Sequence, residues 1–95
     1  MQNQVIVINN GINQNVELIS LFELVNTTKK YLFYTLNEKV ENGLVKMYAA
    51  SVNNIENKTL TLEDNMSEEE WNTLKTVMKT ILTGGSDSNV KYLSI

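Results

Sequence analysis

The chain has 95 residues, 42% of them hydrophobic and 20% charged, with a formal net charge of −3. That is the size and balance of one ordered globular domain. With no Cys and no His, the chain cannot form a disulfide framework, a thiolate or imidazole metal site, or a Ser–His or Cys–His nucleophile pair.

All the basic residues are Lys, and a weak acidic balance without Arg argues against nucleic acid as the main partner. The first ten residues, MQNQVIVINN, lack the basic region of a signal peptide. No apolar run is long enough to span a membrane. The expected location is cytoplasmic, and Lys without Arg, with abundant Asn and Ile, fits a bacterial or phage source.

Residues 4–8, QVIVI, are β-branched and read as a strand. Asn10–Gly11 follows, the strongest two-residue hairpin signal. Residues 16–25, VELISLFELV, read as the return strand, with an irregular pattern. Val16, Leu18, Phe22 and Leu24 fall on one face, while Ile19, Leu21 and Val25 fall on the other with Glu17 and Glu23. Either a bulge flips the register part-way or both faces are partly buried; a helix is the competing reading. Residues 26–30 form a polar turn, and 31–36, YLFYTL, a third strand with aromatics on both faces. Residues 38–43 turn again through Asn42–Gly43. Residues 44–52 form a fourth strand, 53–58 a turn, and 59–62, TLTL, a fifth short strand.

A helix with its start and stop is then written out over residues 66–85. Ser67 and Glu70 form a capping box, with Met66 and Trp71 at the staple positions. Glu68, Glu69 and Glu70 favour the positive end of the helix dipole. Trp71, Leu74, Val77, Met78, Ile81 and Leu82 recur at three- and four-residue steps, an apolar stripe in which Trp71 is expected to be buried packing. Gly84 or Gly85 supplies the left-handed stop. After the polar residues 86–89, residues 90–95, VKYLSI, read as an edge strand, added to this sheet or to that of a neighbouring copy, or as a frayed end.

Few constellations carry chemistry. Glu63, Asp64, Glu68, Glu69 and Glu70 lack calcium-loop spacing and are explained by the helix dipole. No phosphate-cradling glycine motif occurs. Tyr31, Phe33, Tyr34 and Tyr48 resemble a base-stacking platform in composition only, and with this charge they are read as cross-strand pairs and core.

The segments FELVNTTKKYLFYTL, VKMYAASV and TLTLEDNMSEEEWNTLKTVMKTIL resemble the YrzB-like family of small bacterial proteins of unknown function. The resemblance is carried by Phe22–Glu23, residues 30–34, Tyr48–Ala49–Ala50–Ser51, Leu62–Glu63 and, most specifically, Glu69–Glu70–Trp71 with its helix. It covers about residues 5–83. The chain departs from the family in ending SDSNVKYLSI instead of in an acidic tail. The resemblance implies this same order of strands and helix, and no activity.

The expected fold is therefore α+β: an antiparallel β-meander of four to five strands followed by one C-terminal amphipathic helix packed on one face. Residues 1–85 make the domain, and 86–95 a tail. The surplus of apolar residues points to a small non-enzymatic interaction protein, an accessory subunit or homo-oligomer, with Ile19, Leu21, Val25, Tyr34, Leu36, Val90 and Tyr92 as the interface. The alternatives are a nucleic-acid-associated accessory factor using Lys29, Lys30, Lys39 and Lys46, and a structural or decorating component of a phage particle. No catalytic residue, metal, cofactor, small-molecule ligand or membrane partner is implied.

Overall fold

The computed structural model describes residues 4–39, 45–63, 65–85 and 88–94. The elements are β1 (Gln4–Asn9), β2 (Ile12–Leu24), β3 (Lys30–Lys39), β4 (Val45–Glu56), β5 (Thr59–Glu63), α1 (Glu68–Leu82) and β6 (Val90–Leu93). Asn42–Gly43 and Asp64 lie outside the described residues.

Local chemistry starts the fold. β1 and β2 pair antiparallel from Gln4↔Glu17 to Asn9↔Ile12. Between them stand Asn10 and Gly11 at φ 53° and 79°, the two left-handed residues that a tight I′ hairpin turn demands. β2–β3, β3–β4 and β4–β5 are antiparallel in turn. β5 then pairs back onto β1, parallel, through Ile6↔Thr59, Val7↔Leu60 and Ile8↔Thr61, and the Ile6 N–H donates to the Lys58 carbonyl at 2.9 Å. An up-and-down run of five strands reaches its first strand with the last one pointing the same way, so closing the ring makes one parallel seam.

The wholly antiparallel expectation is thus corrected: the sheet is mixed and has six strands, in the order β1-β5-β4-β3-β2-β6 with β1 also on β2. The helix is not the C-terminal element either, because β6 follows it. What stands, among the described residues, is an α+β fold of one mixed sheet and one helix.

The interior of the ring is filled by Val5, Val7, Val16, Leu21, Leu32, Val52, Leu60 and Leu62. β2 can serve this interior along its whole length only because it carries a bulge. Leu18 pairs with Tyr34 and Ser20 with Phe33, leaving Ile19 over. Val16 and Leu18 belong to the ring interior before the bulge and Leu21 after it, while Phe22, Leu24 and Ile19 belong to a second cluster on the outside. Both alternatives offered by the irregular sequence pattern are present together, a bulge and two covered faces. A second irregularity in β4, between Val52 and Asn54, re-aims Ile55 towards the interior in the same way.

α1 covers the outer face of β2 and β3. Leu74 and Val77 pack with Phe22, Tyr31, Phe33 and Val90; the Phe22 ring lies 5.1 Å from Phe33 and 5.8 Å from Tyr31, both tilted. Burying each such aromatic ring stabilises the fold by about 1.5–3 kcal/mol relative to leaving it in water. The helix starts on the capping box: the Glu70 N–H donates to Ser67 Oγ at 3.2 Å and the Ser67 N–H to Glu70 Oε1 at 3.0 Å. It ends with Gly84 at φ 76°, its N–H donating to the Ile81 carbonyl and that of Gly85 to the Thr80 carbonyl. Those two bonds make a Schellman stop, and the left-handed residue is Gly84.

The reversal brings the chain back to β2. β6 pairs antiparallel with the second half of β2, from Leu24↔Val90 to Leu21↔Leu93, and the Val25 N–H donating to the Asn89 carbonyl at 3.0 Å extends the ladder. Within this chain, Val90–Leu93 form an edge strand of their own sheet. β2 therefore gives the same edge first to β1 and then to β6.

Candidate functional site

Most of the proposed interface residues are structural. Leu21 and Val90, 2% and 8% exposed, are core residues and cannot meet a partner. Ile19 is half-buried against the helix-side cluster, and Tyr34 and Leu36 are half-buried against the ring interior, where the Tyr34 ring stacks on Tyr48 at 5.4 Å. Only Val25 and Tyr92, 51% and 47% exposed, lie open. The apolar surplus inferred from the sequence is absorbed because the sheet is covered on both sides, by its own closure and by α1.

The aromatic platform is broken up in the same way. Tyr31 and Phe33 are buried, so neither can stack on a base. Lys29 pairs with Glu70, Lys30 with Glu23, and Lys46 lies 5.1 Å from the Tyr48 ring centre; the Lys39 side chain lies outside the described residues.

Glu70 does more than its place in the capping box suggests. Its Oε2 accepts from Lys29 Nζ at 2.8 Å and from the Tyr31 hydroxyl at 2.7 Å, while Oε1 takes the Ser67 N–H. One carboxylate thus joins the helix start, the β2–β3 turn and β3. The bond from Lys29, then those from Tyr31 and the Ser67 backbone, pull its pKa from the usual 4.5 to about 2. Burial, and secondarily the adjacent carboxylate, push the Tyr31 hydroxyl well above the ordinary tyrosine range. A carboxylate that stays ionised at neutral pH and is occupied by three donors is a poor acid–base catalyst, so this is a structural knot. Among the described residues no group of three or more acidic, His or Cys side chains could hold a metal ion.

Exposed apolar surface gathers on the flank of α1. Trp71 is 41% exposed and Leu82 67%, which corrects the expectation of a buried Trp71. The apolar stripe is wider than the face that meets the sheet: only Leu74 and Val77 are fully buried. Below Trp71, β4 presents the small Ala49 opposite Phe33. The missing side-chain volume leaves an open groove of about 270 Å3 lined by Phe33, Met47, Ala49, Trp71, Leu74 and Met78, with Tyr48 and Lys75. Its lining is apolar and soft, suited to apolar side chains from outside, and Trp is the residue type that most often anchors an interface. A second hollow, about 350 Å3, opens where β1 and β6 part along β2. Gln4, Ser20, Lys58 and Ser94 line it alongside Leu18 and Tyr92, and it presents no converging charged groups.

Reading the sequence missed both the Glu70 knot and the groove. The knot depends on pairing across the fold, which no local spacing records. The groove had one legible signal, six apolar positions on a helix that needs fewer to cover a single face of a small sheet. Comparison with known proteins adds nothing to this reading, since no family model, no curated protein and no solved structure matches the chain. No helix among the described residues is long and apolar enough to cross a membrane.

Proposed function

We propose that the chain is a small, non-enzymatic, cytoplasmic interaction protein that binds a protein partner through the groove between α1 and β4. One observation supports this above the others: Trp71 stands 41% exposed at an apolar groove, although burying it against the sheet would have stabilised the domain. Exposed apolar surface of this kind on a folded domain marks a partner site. Membership of the YrzB-like family belongs to the same proposal, resting on Glu69–Glu70–Trp71 and the helix that follows; it brings no activity with it. A decorating role in a phage particle would use the same groove. A nucleic-acid role finds less support, since Tyr31 and Phe33 are buried and Lys29 and Lys30 are in ion pairs.

The test is a photo-crosslinking residue at position 82, activated in the native host and followed by mass spectrometry. Adducts to protein that vanish in Trp71→Ser are expected. Irradiation that yields no protein adduct above the dark control overturns the reading.

A further inference from the structure

The groove has a charge pattern beside it that says what fits. Along α1, Trp71, Lys75, Met78 and Leu82 fall at i, i+4, i+7 and i+11, one line along the helix flank. Next to it stand Glu68, Asn72 and Lys79, with Lys75 on the border between the two lines. The outer line begins acidic and ends basic. Glu68, Lys75 and Lys79 are all exposed, and none of them is in an ion pair among the described residues. Such a line is complementary to itself when turned end for end, which is the condition for a two-fold interface.

We infer that the partner of this groove is a second copy of the chain, docked through α1 packed antiparallel on α1 about a two-fold axis. This rests on the interaction reading above and narrows it to one occupant. The register follows from the sequence: setting Trp71 against Met78 of the other copy makes two symmetric indole–thioether contacts. It brings each Glu68 within a helical turn of the opposing Lys79, and each Leu82 beside the first turn of the opposing helix. The antiparallel arrangement also sets opposite ends of the helix dipoles together. Met47 and Ala49, which line the groove floor, receive the incoming side chains. One residue works against the pairing. Lys75 falls beside the axis, close to its own copy, where two like charges meet and only the aliphatic stems pack. A single helix face buries little area, so the dimer is expected to be weak, with a dissociation constant in the micromolar range.

Sedimentation equilibrium on the full chain tests this. Glu68→Lys and Lys79→Glu should each weaken self-association, by roughly 5- to 30-fold if two exposed ion pairs turn repulsive. An equimolar mixture of the two variants should associate as tightly as the unmodified protein, since every 68–79 contact is then opposite in sign. Lys75→Leu should tighten the dimer, and Trp71→Ser should abolish it. All four positions are exposed, and an unchanged circular dichroism melt confirms that each variant is folded. A strictly monomeric protein at about 1 mM overturns the inference. So does a dimer indifferent to both charge reversals, or a mixture that fails to recover. If the protein is monomeric but position 82 still cross-links to a different protein, the second-copy inference falls and the broader interaction reading survives.

Discussion

Replacing Glu70 by Ala removes three bonds at once, and their unequal worth can be read from the structure. The capping back-bond to the Ser67 N–H contributes about 0.5–1 kcal/mol. The Lys29 pair, with side chains 42% and 19% exposed, contributes a few tenths to about 1 kcal/mol. The larger part comes from Tyr31, which is 1% exposed and would keep a hydroxyl with no acceptor, a cost of about 1–3 kcal/mol. The expected total is about 2–5 kcal/mol, and each kcal/mol lowers the melting temperature of a domain this size by about 4–8 °C. The sharper test is the double mutant. Tyr31→Phe alone should cost about 1 kcal/mol, but on the Glu70→Ala background it removes a stranded hydroxyl and should cost nothing or stabilise. Urea unfolding of the four proteins closes the cycle. Additive losses, or a Glu70→Ala cost under about 0.5 kcal/mol, would refute the knot. Acid titration gives a second view of the same carboxylate. Its folded pKa of about 2 lies below the usual 4.5, so its contribution is complete above pH 4.5 and disappears as pH falls towards 2. After allowance for the solvent that still reaches the carboxylate, that contribution is roughly 1–2 kcal/mol. Glu70→Gln should therefore be less stable than the parent at pH 6 and approach it near pH 2.

Other outcomes follow from the same geometry. Tyr31 has a raised pKa, so the stability it lends is complete below its unfolded value near 10 and lost above it; Tyr31→Phe should blunt alkaline unfolding, as far-ultraviolet circular dichroism against pH would register. Gly11→Ala meets no atom within 4 Å but must hold φ 79°, so its cost should be the backbone term alone, about 1–2 kcal/mol by denaturant melt. Deleting Ile19 removes the bulge and turns either Val16 and Leu18 or Leu21 out of the ring; the chain should lose its cooperative melt altogether. Deleting residues 88–95 uncovers half of the β2 edge and removes Val90 from the helix-side cluster, and should lower the melting temperature whatever the state of association.

What could be read in the sequence is what neighbouring residues settle among themselves. Asn10–Gly11 dictates its turn, Ser67 and Glu70 their cap, and Gly84 the helix stop, each within a few positions. The irregular run from Val16 to Val25 carried real information, because a bulge is the only way for Val16, Leu18 and Leu21 to share one interior. The parallel seam left no such mark. Val5 and Val7 alternate as an edge strand would, and nothing in them distinguishes pairing with one neighbour from pairing with two. The interface reading failed at Leu21 and Val90 for the same reason: whether a face of a strand is covered depends on closure, which belongs to the ring and to no single segment. Trp71 was misjudged because a stripe of apolar residues says where a helix can bury itself, not how wide a surface the sheet offers.

The seam has a kinetic consequence. The hairpin β1–β2 needs only a two-residue turn and can form in microseconds, but Ile6 must wait for Thr59 before its other edge is filled. Until then both the seam edge of β1 and that of β5 are unpaired strands. Closure is a long-range event with a correspondingly large loop entropy. During synthesis, the amino-terminal strand is the first to be made and one of the last to be sheltered, and an arrested chain ending before residue 59 would present an open ribbon. The folding rate of this small domain should therefore be set by the meeting of its two seam strands, with the helix, so plainly written in the sequence, arriving early and deciding little.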